Sequence, residues 1–225
     1  TSKIEHSAVI HTCQNLEKKG FRVTYLDVDK DGIVDLNELK RAIRPDTILI
    51  SIMYANNEIG TIEPVEEIAK IAKMYNIPFH TDAVQACGNV PIDVKKSGID
   101  MLSLSGHKLH APKGTGMLYV RKGVKVEKFI DGGRQESDKR AGTENVPGIV
   151  GMAEALRIAV LQMKRNRARE IRLRNYFMDR LLREFEQVRI NGHPYQRLPG
   201  NINISFGGVD ATSLLTLLQE DGICA

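Results

Sequence analysis

A lysine placed just beyond an apolar run is where this chain is best equipped for chemistry. Ile99 to Leu104 reads as a buried strand that gives way to Ser105-Gly106-His107-Lys108 and then to a glycine-bearing stretch through Gly114 and Gly116. Open α/β sheets collect their ligands beyond the C-terminal ends of their strands. A lysine amine desolvated there loses its proton and attacks a carbonyl, forming a Schiff base. Ser105 and His107 flank the lysine with donors for an anion, and Gly106 lets backbone approach closely. Taken by itself the stretch is equally what a solvated lysine after a strand looks like.

Two further strand ends carry polar side chains. His80-Thr81-Asp82 closes a short apolar strand and is followed by Ala83-Val84-Gln85. An acid in that position caps a turn by default; buried, it keeps a ring nitrogen protonated. Asn56-Asn57-Glu58-Ile59-Gly60-Thr61 follows the apolar run of residues 47–54. Asn57, Asp82 with Gln85, and Lys108 are thus expected on one rim. An acid for a pyridinium nitrogen, a Schiff-base lysine and anion donors are what a pyridoxal phosphate site requires. His6, just before the first helical pattern, reads as a cap or surface residue; over a cofactor ring it would stack and move protons.

Other constellations point elsewhere and fail on their surroundings. Asp27-Val28-Asp29-Lys30-Asp31-Gly32 through Glu38 fits the calcium-loop pattern D-x-D-x-D-G-x₅-E. An EF-hand needs a helix entering that loop, and residues 21–26 alternate as a strand after Gly20. The plainer reading is a strand, an acidic turn and a helix from about Asp35. Lys164, Arg165, Arg167, Arg169, Arg172 and Arg174 cluster in one helical stretch. Few aromatics interleave with them, so a solvated helix face is expected rather than a nucleic-acid surface. His107 and His110 are three apart but lack further ligands at metal spacing, so no metal site is expected.

The elements that must carry these residues alternate. Helical spacing spans residues 7–19, 35–43 and 65–75. Strand patterns cover residues 21–26, 47–54, 78–82, 99–104 and 116–121. Such alternation predicts an α/β domain with a mainly parallel sheet. From about residue 147 to 186 the pattern becomes one long helix, followed by a strand at 201–206 and a helix at 211–220. This predicts a large domain over residues 1–146 and the start of a smaller α+β domain over 147–225. The 225 residues carry a net charge of +4 that is spread along the chain, 42% hydrophobic residues and three cysteines. No uninterrupted apolar run reaches membrane-spanning length. Cys13, Cys87 and Cys224 are widely spaced and odd in number, which predicts a reducing compartment rather than a disulfide framework. The chain opens Thr1-Ser2-Lys3 and closes Gly222-Ile223-Cys224-Ala225; both ends read as cut from a longer protein.

Five segments in order resemble one family: Glu5-His6-Ser7-Ala8-Val9, Ala55 to Thr61, His80 to Gln85, Ser105-Gly106-His107-Lys108 and Arg140-Ala141-Gly142-Thr143-Glu144-Asn145. They look like the cysteine desulfurases of the class V aminotransferases, with PLP fold type I, and like the group that feeds iron–sulfur cluster assembly. The resemblance implies that Lys108 holds pyridoxal phosphate as a Schiff base and that Asp82 pairs with its ring nitrogen. It further implies that Gln85 and Asn57 contact the phenolic oxygen side and that Ser105 and His107 bind the phosphate. His6 would stack on the ring and serve in proton transfer. Thr143 would reach the phosphate of a partner subunit, which implies a homodimer.

The implied reaction converts L-cysteine to L-alanine and leaves persulfide sulfur on an enzyme cysteine, for an iron–sulfur scaffold or another acceptor protein. Selenocysteine lyases and small aminotransferases of the same class are the alternative. The sequence departs from the family pattern in lacking the loop with the persulfide cysteine, the arginine for the substrate carboxylate and the N-terminal turn of the phosphate cradle. Cys224 precedes that loop position in a strand-like run, and Cys13 and Cys87 read as packing residues, so the fragment alone is expected to be inactive. Cytoplasm, or alternatively the mitochondrial matrix, fits the reduced cysteines.

Overall fold

Strands β1 (Ile50–Ser51), β2 (Phe79–Asp82), β3 (Met101–Ser105) and β4 (Gly116–Val120) form one sheet in that spatial order in the computed structural model, which describes residues 1–224. The first three are parallel, with Ser51 opposite His80 and Asp82 opposite Ser103; β4 runs antiparallel, pairing Ser103 with Leu118. Beyond β1 the ladder continues, because the Ile52 and Tyr54 N–H groups donate to the His80 and Asp82 carbonyls at 3.1 and 2.8 Å. Three chain segments therefore reach the same edge of the sheet before turning.

The helices form where the sequence caps them. Helix α1 spans Ser7–Lys18, and His6 Nδ1 accepts the Ala8 N–H. Helix α2 (Leu36–Ala42) begins at Asp35, whose carboxylate accepts the Asn37 N–H. Helix α3 (Val65–Met74) starts after Pro64, with Glu66 and Glu67 in its first turn and Lys73 in its last, complementing the helix dipole. It buries Val65, Ile68, Ala69, Ile71 and Ala72 against the sheet, where Phe79, Ile52, Ile99 and Leu102 complete the core. A short helical turn, α4 (Gln135–Asp138), contains left-handed residues at Glu136 and Ser137.

Helix α5 (Val146–Glu184) is 39 residues long, capped by Asn145. Its first half is long and apolar enough to pass for a membrane span by composition. Here Met152, Ala155, Leu156 and Ala159 pack on the core, and a Glu154–Arg157 ion pair interrupts the run. Its second half meets a two-stranded antiparallel sheet of β5 (Val188–Ile190) and β6 (Ile204–Phe206), which precedes α6 (Ala211–Glu220).

Two expected strands differ. Residues 21–26 alternate as a strand but form only a single bridge, Leu26 to Ser2. A groove of about 530 Å³, lined by Phe21 to Thr24 on one side and Leu49 to Ser51 on the other, separates them from β1. Alternation favours extended backbone, but a strand also needs a hydrogen-bonded neighbour. Ile223 and Cys224 likewise form no strand pairing among the described residues, and the Ile223 N–H instead donates to the Leu218 carbonyl at 2.8 Å. Strand β5 was not legible, being three residues directly after a long helix.

Candidate functional site

The parallel register carries three of the expected positions to one edge: Asn57 follows β1, Asp82 closes β2, and Ser105 closes β3. A 3-10 turn, Gly106–Leu109, follows β3 without a break and holds His107 and Lys108. A Cβ on Gly106 would collide with the Thr115 hydroxyl, so only glycine lets the turn close against the start of β4. His110 ends the turn in a left-handed conformation, φ 61°.

His6 is brought to the same edge by its neighbours. The Glu5 carboxylate accepts the Met53 N–H at 2.9 Å, and Asn56 Nδ2 donates to the Ile4 carbonyl at 2.9 Å. These bonds moor the start of α1 beside the segment leaving β1. Burial raises the Glu5 carboxyl above its ordinary range, against the lowering effect of its hydrogen bonds from Ser2 and Met53.

Asp82 is half-buried. Its Oδ1 accepts the Val84 N–H at 2.9 Å, while its second oxygen has no hydrogen bond among the described residues. Gln85 is half-buried on the turn that follows. Ser105 Oγ and His107 Nδ1 lie 2.7 Å apart. Beneath Asp82, His80 is clamped between Ser51 Oγ at 2.8 Å and Ser103 Oγ at 2.9 Å, a polar belt across three strands. Burial lowers the His80 pKa, with the Asp82 charge pulling the other way; in the neutral ring one nitrogen donates to one serine and the other nitrogen accepts from the second.

Lys108 is exposed, without an ion pair or hydrogen bond among the described residues. The desolvation expected of a Schiff-base lysine is therefore not supplied by these residues. Lys108 also lines a cleft of about 250 Å³ against α5 with Cys87, Ala159, Arg167 and Glu170. Asn57, Asp82 and Gln85 do not line that cleft. Thr143 is exposed.

The competing constellations do not assemble. Asp27 pairs with Lys3, Asp29 Oδ1 accepts the Asp31 and Ile33 N–H groups at 2.9 Å, and Asp35 caps α2. The Asp29 and Asp35 carboxylates are thus turned to the local backbone, and that of Asp27 to Lys3. No cluster of three metal-ligating side chains occurs among the described residues. The basic stretch of α5 is not one solvated face, because Arg174 is buried and donates to the Leu198 carbonyl at 3.0 Å. Cys13 and Cys87 are half-buried with thiol pKa values raised by burial, and Cys224 is exposed.

Sequence reasoning missed a group that holds the Asn57 loop. The Glu58 carbonyl accepts from Asn201 Nδ2 at 2.9 Å, the Ile59 carbonyl from Arg197 at 3.1 Å and the Gly60 carbonyl from the Leu198 N–H at 2.8 Å. The only local signal was Asn-x-Asn at 201–203 in an otherwise apolar strand approach. Glu63 was also missed. It is 2% exposed, its Oε2 accepts the Val34 N–H at 3.0 Å, and its other oxygen is unpartnered.

The profile of the family described as aminotransferase class-V matches residues 1–225. The chain is 53% identical to the cysteine desulfurase IscS of Dictyoglomus turgidum over 99% of its length, and 56% identical to that of Methanosarcina thermophila over its whole length. It covers 57% and 55% of those two proteins. Among solved structures, a NifS-like protein superposes with a TM-score of 0.95 at 42% identity, over 99% of this chain and 61% of that one. DndA from Streptomyces lividans superposes with a TM-score of 0.89 at 36% identity, over 97% of this chain and 62% of that one.

Proposed function

This chain belongs to the class-V aminotransferase family, with the PLP type I fold, and from that premise we propose that it forms the cofactor-binding part of a cysteine desulfurase. The chain spans little more than half the length of its curated relatives, so the activity proposed is that of the whole protein. The observation that carries the reading is the arrival of Asn57, Asp82 and the Ser105–Lys108 turn at one edge of the sheet, with one Asp82 oxygen uncommitted.

The donor set fits pyridoxal phosphate. It offers a free primary amine, a carboxylate oxygen at a strand end, and a hydroxyl and imidazole side by side for an anion. Bound there, the cofactor supplies an electron-withdrawing ring to the substrate carbon. Lys108 Nζ would hold it and would carry protons. Asp82 would keep the ring nitrogen protonated, Gln85 and Asn57 would face the ring oxygen, and Ser105 and His107 would take the phosphate. His6 would lie against the ring and share the proton transfers. Thr143 would serve the phosphate of a second subunit in a homodimer.

The substrate is L-cysteine and the carbon product L-alanine. Sulfur leaves as a persulfide on a cysteine outside these 225 residues and passes to an iron–sulfur scaffold or another acceptor protein. Cys13 and Cys87 are unsuited to that step, since burial disfavours their thiolates.

Borohydride reduction of the whole protein with pyridoxal phosphate, followed by peptide mass mapping, tests the site. A pyridoxyl mass on Lys108 and stoichiometric alanine from cysteine are expected. A label on another lysine, or no alanine from a labelled protein, would sink the assignment.

A further inference from the structure

The loop that carries Asn57 is fixed from outside. Asn56 organises its interior: its N–H donates to the Thr61 carbonyl at 2.8 Å, and its Oδ1 accepts the Glu58 and Ile59 N–H groups at 2.9 Å. That arrangement turns three successive carbonyls outward. Asn201, Arg197 and Leu198 take those of Glu58, Ile59 and Gly60, respectively. Thr61 Oγ1 accepts the His193 N–H at 2.9 Å.

Arg197 is the hub of this clamp. It is 4% exposed and makes no ion pair with a carboxylate among the described residues. Its guanidinium is answered only by neutral oxygens: the Asn191 carbonyl at 3.2 Å, the Ile59 carbonyl at 3.1 Å and Asn201 Oδ1 at 3.0 Å, with Nε left unpartnered. A buried charge without a counter-ion is strongly unfavourable unless oxygens replace its water. Those oxygens come from three different segments, so the arginine is stable only while all three are in place. The planar fork can reach all three at once, which a lysine ammonium cannot do with the same geometry.

We propose that Arg197 is a positioning residue, which sets the place of the Asn57 carboxamide by holding the Ile59 carbonyl and the Asn201 side chain that takes the Glu58 carbonyl. This deepens the cofactor reading and rests on it, because Asn57 matters through its contact with the ring oxygen. Arg197 itself touches neither cofactor nor substrate.

The test uses the whole protein with its cofactor and two variants, Arg197→Met and Asn201→Ala. The second keeps the charge and removes only the half-buried carboxamide, so it serves if the first does not fold. Hydrogen exchange of the peptide over residues 54–62 is expected to speed up about tenfold in each folded variant, while the Lys108 label persists. The visible absorption maximum of the bound cofactor is expected to shift. kcat for cysteine should fall about tenfold with KM changed less than threefold, and Arg197→Lys should lie between. Unchanged exchange in a folded variant overturns the clamp. Faster exchange with unmoved absorption and kcat overturns the positioning role. An unmodified protein with no label on Lys108 overturns the cofactor reading, and this proposal with it.

Discussion

The Asp82 carboxylate is divided in its commitments: Oδ1 is held by the Val84 N–H at 2.9 Å, and the other oxygen is bound to nothing among the described residues. The local turn and the proposed ring contact therefore draw on different atoms of one side chain. Asp82→Asn keeps an acceptor for Val84 and loses the charge. Its unfolding free energy should stay within about 1 kcal/mol of the parent, as for other capping acceptors retained in kind. Cysteine turnover by the whole protein should fall by roughly 10²–10³, the scale on which one electrostatic partner matters. A variant with near-parental turnover would remove Asp82 from the site.

Glu63 gives stability a pH dependence. Burial pushes its carboxyl up to about 8 from an ordinary 4.5. The folded state thus prefers the protonated acid. The stability this contributes is complete below pH 4.5 and is lost as pH rises through about 8. Glu63→Gln retains an acceptor for the Val34 N–H and cannot ionise. Melting curves at pH 5 and pH 8.5 should show the variant gaining relative to the parent at the higher pH, by on the order of a few kcal/mol. Glu5, raised by burial as well, leaves a residual slope in both proteins. Equal pH dependence in the two would place the ionisation elsewhere.

Gly60 is a tight point between the Asn57 loop and its clamp. Its φ is +76°, and a Cβ there would run into the Asn201 carboxamide. Gly60→Ala combines a left-handed backbone with that collision and should cost about 2–3 kcal/mol. Differential scanning calorimetry checks the loss. An unchanged midpoint would mean that the clamp yields freely.

The cysteines should separate by accessibility. Iodoacetamide at neutral pH is expected to modify exposed Cys224 at least about tenfold faster than Cys13 or Cys87, whose thiols are half-buried and raised by burial. Peptide mapping over time reads the order. Faster labelling of Cys87 would reopen it as a nucleophile in the cleft it shares with Lys108.

What the sequence made legible is local. Asp35 announced its helix, and the run into Lys108 announced a strand end, because caps and periodicity act over one or two turns. The parallel order of β1, β2 and β3 follows from strand–helix alternation, so the shared edge of Asn57, Asp82 and Lys108 could be read in advance. Lys108's exposure could not, since burial is a property of the assembled surface. Residues 21–26 carry the right alternation and still form only one bridge, because pairing depends on a neighbour that no local pattern specifies. The burial of Arg174 and Arg197 was equally hidden. One sits in a run of basic residues and the other precedes a Leu-Pro-Gly turn, and neither context foretells the carbonyls that receive them.

The clamp on the Asn57 loop also orders events in time. His193 meets Thr61 across 132 residues, and Arg197 meets Ile59 across 138. Contacts of that separation close late, after the loop entropy between them has been overcome. During synthesis, at about 5–20 residues per second, the lysine, the acid and the amide all leave the ribosome on the order of ten seconds before Arg197 does. A nascent chain stopped between residues 108 and 191 carries the lysine, the acid and the amide on these strands, with the amide still unlocked. The step that locks the amide belongs to a segment that contributes nothing to the chemistry.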